Sequence, residues 1–217
     1  MGQALRLHQE FAPSPLGDLR FRALLRDDEW FALPDATRAR FSKRVASGDT
    51  AVYVGRVAEI TMSRAGRLLV HLARMIGGPF PTSLDTGTAS VVTVTENTAT
   101  GGQTWTRLYA RRKGVPQIIH STKLFAGPTG LEEHVGGGVS MQLGVRVEAG
   151  NLIFYSHDYF LSLGKLRFAI PRWLTPGELT VVHSDIGDGW FTFTLDVEHP
   201  LLGALIHQCV VFREATS

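Results

Sequence analysis

From Ser90 to Glu214 apolar and polar residues alternate in short runs separated by glycine-rich turns, and no run keeps a helical period for a useful length. This pattern predicts antiparallel strands. The clearest is Val139, Met141, Leu143, Val145 and Val147, interleaved with Ser140, Gln142, Gly144, Arg146 and Glu148. A period of two puts the first set on one buried face. Phe191, Phe193, Leu195 and Val197 make a second inward stripe, with Thr192, Thr194 and Asp196 outward. Further strands are predicted over 51–62, 91–96, 103–112, 115–125, 131–135, 152–161, 166–170, 179–184 and 204–212. Lys113-Gly114 reads as a tight turn between two of them. Setting aside one or both of the short runs 131–135 and 166–170 leaves about nine or ten strands at near-regular spacing, which argue for a meander, and a meander of that length must curl, pack on itself or close.

Before the strands the period changes. Leu19, Phe21, Leu24, Leu25, Trp30 and Phe31 follow a helical pattern, and 34–41 reads as a short helix with Pro34 in its first turn. Ser63 is placed to cap a helix over 64–75, with Leu68, Leu69, Leu72, Met75 and Ile76 as its apolar stripe and Arg64, Arg67, His71 and Arg74 on the other side. The expected fold is α+β: one domain over 19–217, after a tail over 1–18 broken by Pro13, Pro15 and Gly17. Its strongly curved or closed, barrel-like antiparallel sheet carries two or three N-terminal helices on one face or at one end.

Composition narrows the class. With 44% hydrophobic and 19% charged residues the chain is an ordinary globular one, and a net charge of +2 gives no reason to expect nucleic acid. The single cysteine, Cys209, lies in an apolar run, reads as a small buried hydrophobe and allows no intrachain disulfide. There is no secretory leader pattern and no apolar stretch near the ~20 residues of a spanning helix, so a cytoplasmic location is expected. The basic and apolar faces of 64–75 also suit a membrane surface, although such a helix more often packs on its own sheet.

The candidate chemistry lies on the strands. Trp105, Arg107, Tyr109 and Arg111 share a face. An aromatic ring can cover an apolar body while an arginine fork holds a carboxylate or phosphate. Tyr155, His157 and Tyr159 form a second polar-tipped stripe with Ile153 and Leu161. Glu132 and His134 share a face beside a glycine run, but no His-x-x-x-His or Cys-x-x-Cys spacing supports a metal site. No Gly-x-Ser-x-Gly elbow is present for nucleophilic catalysis.

Several segments, taken in order, resemble the domain-of-unknown-function family numbered 4166. They are Phe21-Arg22-Ala23-Leu24-Leu25 with Leu33-Pro34, then Trp105-Thr106-Arg107, Leu124-Phe125 and Leu131-Glu132-Glu133. Asn151-Leu152-Ile153-Phe154-Tyr155, Pro171-Arg172-Trp173-Leu174-Thr175-Pro176 and His199-Pro200-Leu201-Leu202-Gly203 follow. The resemblance implies membership from about Leu19 onward and assigns no catalytic residue. Some members are fused to a dehydrogenase-like nucleotide-binding domain, but no Gly-x-Gly-x-x-Gly follows a strand in these 217 residues.

The leading expectation is a non-catalytic module that binds a small amphipathic molecule, lipid-like ones included, in a sheet-enclosed cavity. Trp105, Arg107, Tyr155, Trp173, His120 and His157 are the expected ligand-side residues, with no metal and no cofactor. The alternatives are an enzyme using histidine and carboxylate groups in that cavity, and a ligand-free scaffold or oligomerisation domain. The pattern sets no oligomeric state.

Overall fold

A computed structural model of the chain describes residues 17–45, 48–97 and 99–215. Eleven strands dominate it: β1 Ala51–Met62, β2 Ala89–Asn97, β3 Gly102–Tyr109, β4 Gln117–Leu124, β5 Glu132–Gly136, β6 Val139–Glu148, β7 Asn151–Leu163, β8 Leu166–Ala169, β9 Glu178–Gly187, β10 Trp190–His199 and β11 Gly203–Glu214. Three helices accompany them: α1 Asp27–Ala32, α2 Asp35–Phe41 and α3 Arg64–Ala73.

All the strand pairings are antiparallel, and they run β6-β5-β4-β3-β2-β1-β11-β10-β9-β7. A further pairing of β6 with β7 joins the two ends. The result is a closed ten-stranded barrel with one extra strand. Strand β7 is long enough to pair with β9 along Leu152–Tyr155 and with β8 along Phe160–Leu163. Closure removes the unpaired edges that an open sheet of this length would expose.

The predicted stripes face inward. Met141 and Leu143 on β6 are buried, and Val145 and Val147 pack against the same core. On β10, Phe191 and Val197 are fully enclosed, and Phe193 and Leu195 line the interior. The outward positions of β3 and β4 mix polar and apolar residues, with Thr104 opposite Thr122, Thr106 bonded to His120, and Leu108 opposite the exposed Ile118.

The helices divide between the two ends instead of sharing one. The expected helix from Leu19 is a 3₁₀ turn at Arg22–Leu24 followed by α1, because Leu25 and Arg26 are extended. The Arg26 N–H donates to Glu29 Oε2 and starts α1 afresh. Together α1 and α2 close one end, where Phe41 meets Phe154 and His183. Asp18, assigned to the tail in the sequence, is buried there against Arg20, and its N–H donates to the Ser42 carbonyl. Residues 1–16 of that tail lie outside the described residues.

Helix α3 covers the opposite end. Its Ser63 cap forms as expected, with the Gly66 N–H donating to Ser63 Oγ at 3.1 Å. Helical pairing stops at Ala73, and a 3₁₀ turn carries the chain to Gly77, which takes φ 106°. Cys209 departs from its expected place. Gln208 and Val210 point into the barrel, so Cys209 faces outward and is half-buried.

Candidate functional site

The barrel encloses a cavity of about 360 Å³. Its walls are mostly apolar, with Met141, Leu143, Phe154, Val181, Phe193 and Leu195 among the contributors. Ile76 and Leu72 from the α3 end and Leu174 from the β8–β9 connection stand at its mouth.

One stretch of wall is charged. On β3, Trp105, Arg107 and Tyr109 all line the cavity, as their period predicts. Arg111, placed on the same face in the sequence, lies beyond the end of β3 and donates to Thr82 Oγ1 instead. Across the β3–β4 pairing, Trp105 is opposite Ser121 and Gln103 is opposite Lys123. Across β4–β5, Lys123 is opposite Glu133. Three neighbouring strands therefore bring Arg107, Lys123 and Glu133 together inside the barrel.

Lys123 Nζ is 3.0 Å from Glu133 Oε1, and the Arg107 guanidinium is 3.4 Å from the same oxygen. Arg107 also donates to Ser121 Oγ at 3.1 Å. The Lys123 ammonium lies 5.0 Å from the centre of the Trp105 ring, within cation–π range. Trp105 Nε1–H is buried with no partner among the described residues. Tyr109 donates its hydroxyl to Gln208 Oε1 at 3.2 Å.

The electrostatics follow from this geometry. Burial would raise the Glu133 carboxyl, but Lys123 and Arg107 more than reverse the effect and hold it at about 2. Burial pulls the Lys123 ammonium below its ordinary value, and the like charge on Arg107 adds to this while Glu133 opposes it. With all three groups ionised the cluster carries two positive charges and one negative. A carboxylate held so firmly ionised is a poor general base near neutral pH.

The remaining expected residues are elsewhere. His120 is exposed on the outer wall beside Thr106. Tyr155 is also outside, lying over Gly144, with the Arg146 guanidinium over its ring and the His157 ring tilted beside it. His157 itself is exposed. Trp173 is 73% exposed on the rim, next to the cavity-lining Leu174. Of the six residues, the structure brings Trp105 and Arg107 together in the cavity wall and leaves Tyr155, Trp173, His120 and His157 outside it.

Two backbone features explain these placements. A two-residue turn at Lys113-Gly114 would set His120 opposite Arg107. The connection instead spans Ala110–Pro116 and sets Ile119 opposite Arg107. That shift of one residue sends His120 out and Lys123 in. On β7, Met141 pairs with Tyr159 while Leu143 pairs with Ser156, so Gln142 faces two residues, His157 and Asp158. This bulge reverses the alternation. Tyr159 turns inward, away from the face of Tyr155 and His157, and donates toward Ser156 Oγ at 3.1 Å.

The sequence reasoning missed Lys123 and the inward role of Glu133. Their available signal was the alternation of Ile119, Ser121 and Lys123 along β4. Glu132 and His134 do share the outer face, 3.7 Å apart, and Arg167 joins Glu132 there at 2.8 Å.

The architecture is that of a closed antiparallel β-barrel with an internal, mainly apolar cavity and one cationic patch. Residues 33–212 match the family described as a domain of unknown function, DUF4166, and the chain belongs to that family. No curated protein and no solved structure matches it.

Proposed function

We propose that this barrel binds a small amphipathic anion. The apolar body lies among Phe154, Leu143 and Leu195, and the carboxylate or phosphate head engages Arg107 and Lys123. The supporting observation is the pair of inward-facing cations sharing one carboxylate in an otherwise apolar wall. Burying charge is expensive unless every charge is matched, and an anionic head balances the second cation. A cavity of about 360 Å³ falls within the range of small-molecule sites. Among the described residues no histidine lines this cavity, which favours retention of a ligand over acid–base chemistry.

Native mass spectrometry of the purified protein, followed by solvent extraction, tests whether an acidic amphiphile copurifies. Titration with dodecanoate reads the head site directly. Arg107→Ala is expected to weaken dodecanoate binding by about tenfold or more, since a charge-assisted contact is lost, while the melting temperature changes far less. Equal binding of dodecanoate and dodecanol by the unaltered protein would refute the anionic-head assignment.

A further inference from the structure

We infer that the mouth of the barrel docks on an anionic lipid bilayer. Three separate elements present large apolar side chains to solvent at that end. On α3 and the turn after it, Leu68, Leu72 and Met75 form a stripe at positions i, i+4 and i+7, and Met75 is 84% exposed. The β8–β9 connection adds Trp173, and the β10–β11 turn adds Leu201 and Leu202, with Leu201 84% exposed. These elements converge on the mouth. Leu72 and Leu174 line the same cavity, and the Ser63 N–H at the start of α3 donates to the Leu205 carbonyl just after the β10–β11 turn. Gly177 packs against Glu198 and His199 at the foot of that turn.

Charge identifies the occupant. Arg64, Arg67 and Arg74 flank the apolar stripe of α3, and Arg172 adjoins Trp173. All four are exposed, and none pairs with a carboxylate among the described residues. The stretch 64–76 contains no acidic residue. Of the acids toward this end, Glu178 and Glu198 sit on the outer wall, because their neighbours Leu179 and Val197 face inward, Asp196 and Glu59 meet His207, and Asp85 accepts the Arg112 N–H. Apolar tips set among cations match the interfacial layer of a negatively charged membrane, where rings and aliphatic chains enter the headgroup boundary and arginines meet phosphates. A protein partner would need its own acidic surface shaped to three separate projections, a requirement that a fluid bilayer does not impose.

The docking claim does not depend on what fills the cavity. Vesicle binding reports on the rim, and dodecanoate titration reports on the interior. The full chain is mixed with vesicles of phosphatidylcholine alone and with equimolar phosphatidylcholine and phosphatidylglycerol, then floated through a density gradient. Binding is expected only with the anionic vesicles and should fall as salt rises. Arg67→Gln with Arg74→Gln is expected to lower partitioning by about thirtyfold, since each basic residue near the surface contributes roughly a fivefold effect. Leu68→Asp with Met75→Asp should abolish it. All four positions are exposed, and the melting temperature of each variant confirms folding. Absence of binding to either vesicle, or binding untouched by both double variants, overturns the inference. So does a concentration-dependent dimer in sedimentation that Leu68→Asp with Met75→Asp dissolves while vesicles go unbound, because the rim is then an interface between copies of the chain.

Discussion

The Lys123 ammonium stands 3.0 Å from the Glu133 carboxylate inside the barrel, and Arg107 reaches the same oxygen from the neighbouring strand. A buried pair of this kind contributes little net stability over an apolar pair of the same shape, but breaking it leaves an unmatched charge. Glu133→Gln is therefore expected to destabilise the fold by about 3–5 kcal/mol. Adding Lys123→Met should recover much of that loss, because the stranded ammonium is removed. Denaturant unfolding of the two single variants and the double variant measures the coupling. Additive effects would show that the pair does not behave as a unit.

At the closed end Arg40 donates to His183 Nε2 at 2.8 Å. A guanidinium only donates, so the ring must accept there and stay neutral. Burial, and then the Arg40 charge, push the His183 pKa down to about 3. The unfolded chain protonates this histidine near its ordinary value of about 6.5, so between about 6.5 and 3 the unfolded state binds more protons. Stability is then complete above about pH 6.5 and falls as pH drops through that window, by on the order of 4 kcal/mol at its foot. His183→Gln keeps an acceptor for Arg40 without titrating. Its unfolding free energy is expected to be nearly flat between pH 6.5 and about 4.5, below which the carboxylates take over.

Leu143 is 1% exposed and lines the cavity. Leu143→Ala is expected to lower stability by about 2–5 kcal/mol. An unchanged denaturant midpoint would contradict its inward assignment.

Gly66 lets α3 lie directly against β11. A Cβ at this position would overlap the Leu205 carbonyl, which is backbone and has little freedom to yield. Gly66→Ala is expected to lift the N-terminal turn of α3 from the barrel. Hydrogen exchange should show faster exchange along α3 and unchanged protection in β3 and β4, with faster release of dodecanoate.

Much of this protein is legible in its sequence, because the information is local. Alternation of apolar and polar residues assigned the inward faces of β6 and β10, and glycine-rich turns placed the strands to within a few residues. The Ser63 cap followed from one hydroxyl placed before a helical period. These features depend on residues close together in the chain, where backbone geometry repeats every two or about 3.6 positions.

The contents of the site were decided by the tertiary structure. Arg107, Lys123 and Glu133 belong to three strands, and their meeting depends on registers that differ by a single residue from the one a tight Lys113-Gly114 turn would impose. The inward turn of Tyr159 depends on one extra residue in β7, which reverses the alternation without any mark in the hydrophobic pattern. Closure of β6 on β7, and the division of the helices between the two ends, come from packing across the whole barrel. The local pattern determined which faces β6 and β10 bury. Only the folded chain determined which buried faces confront one another, because period-two alternation is local while register, bulge and closure are properties of strand pairs.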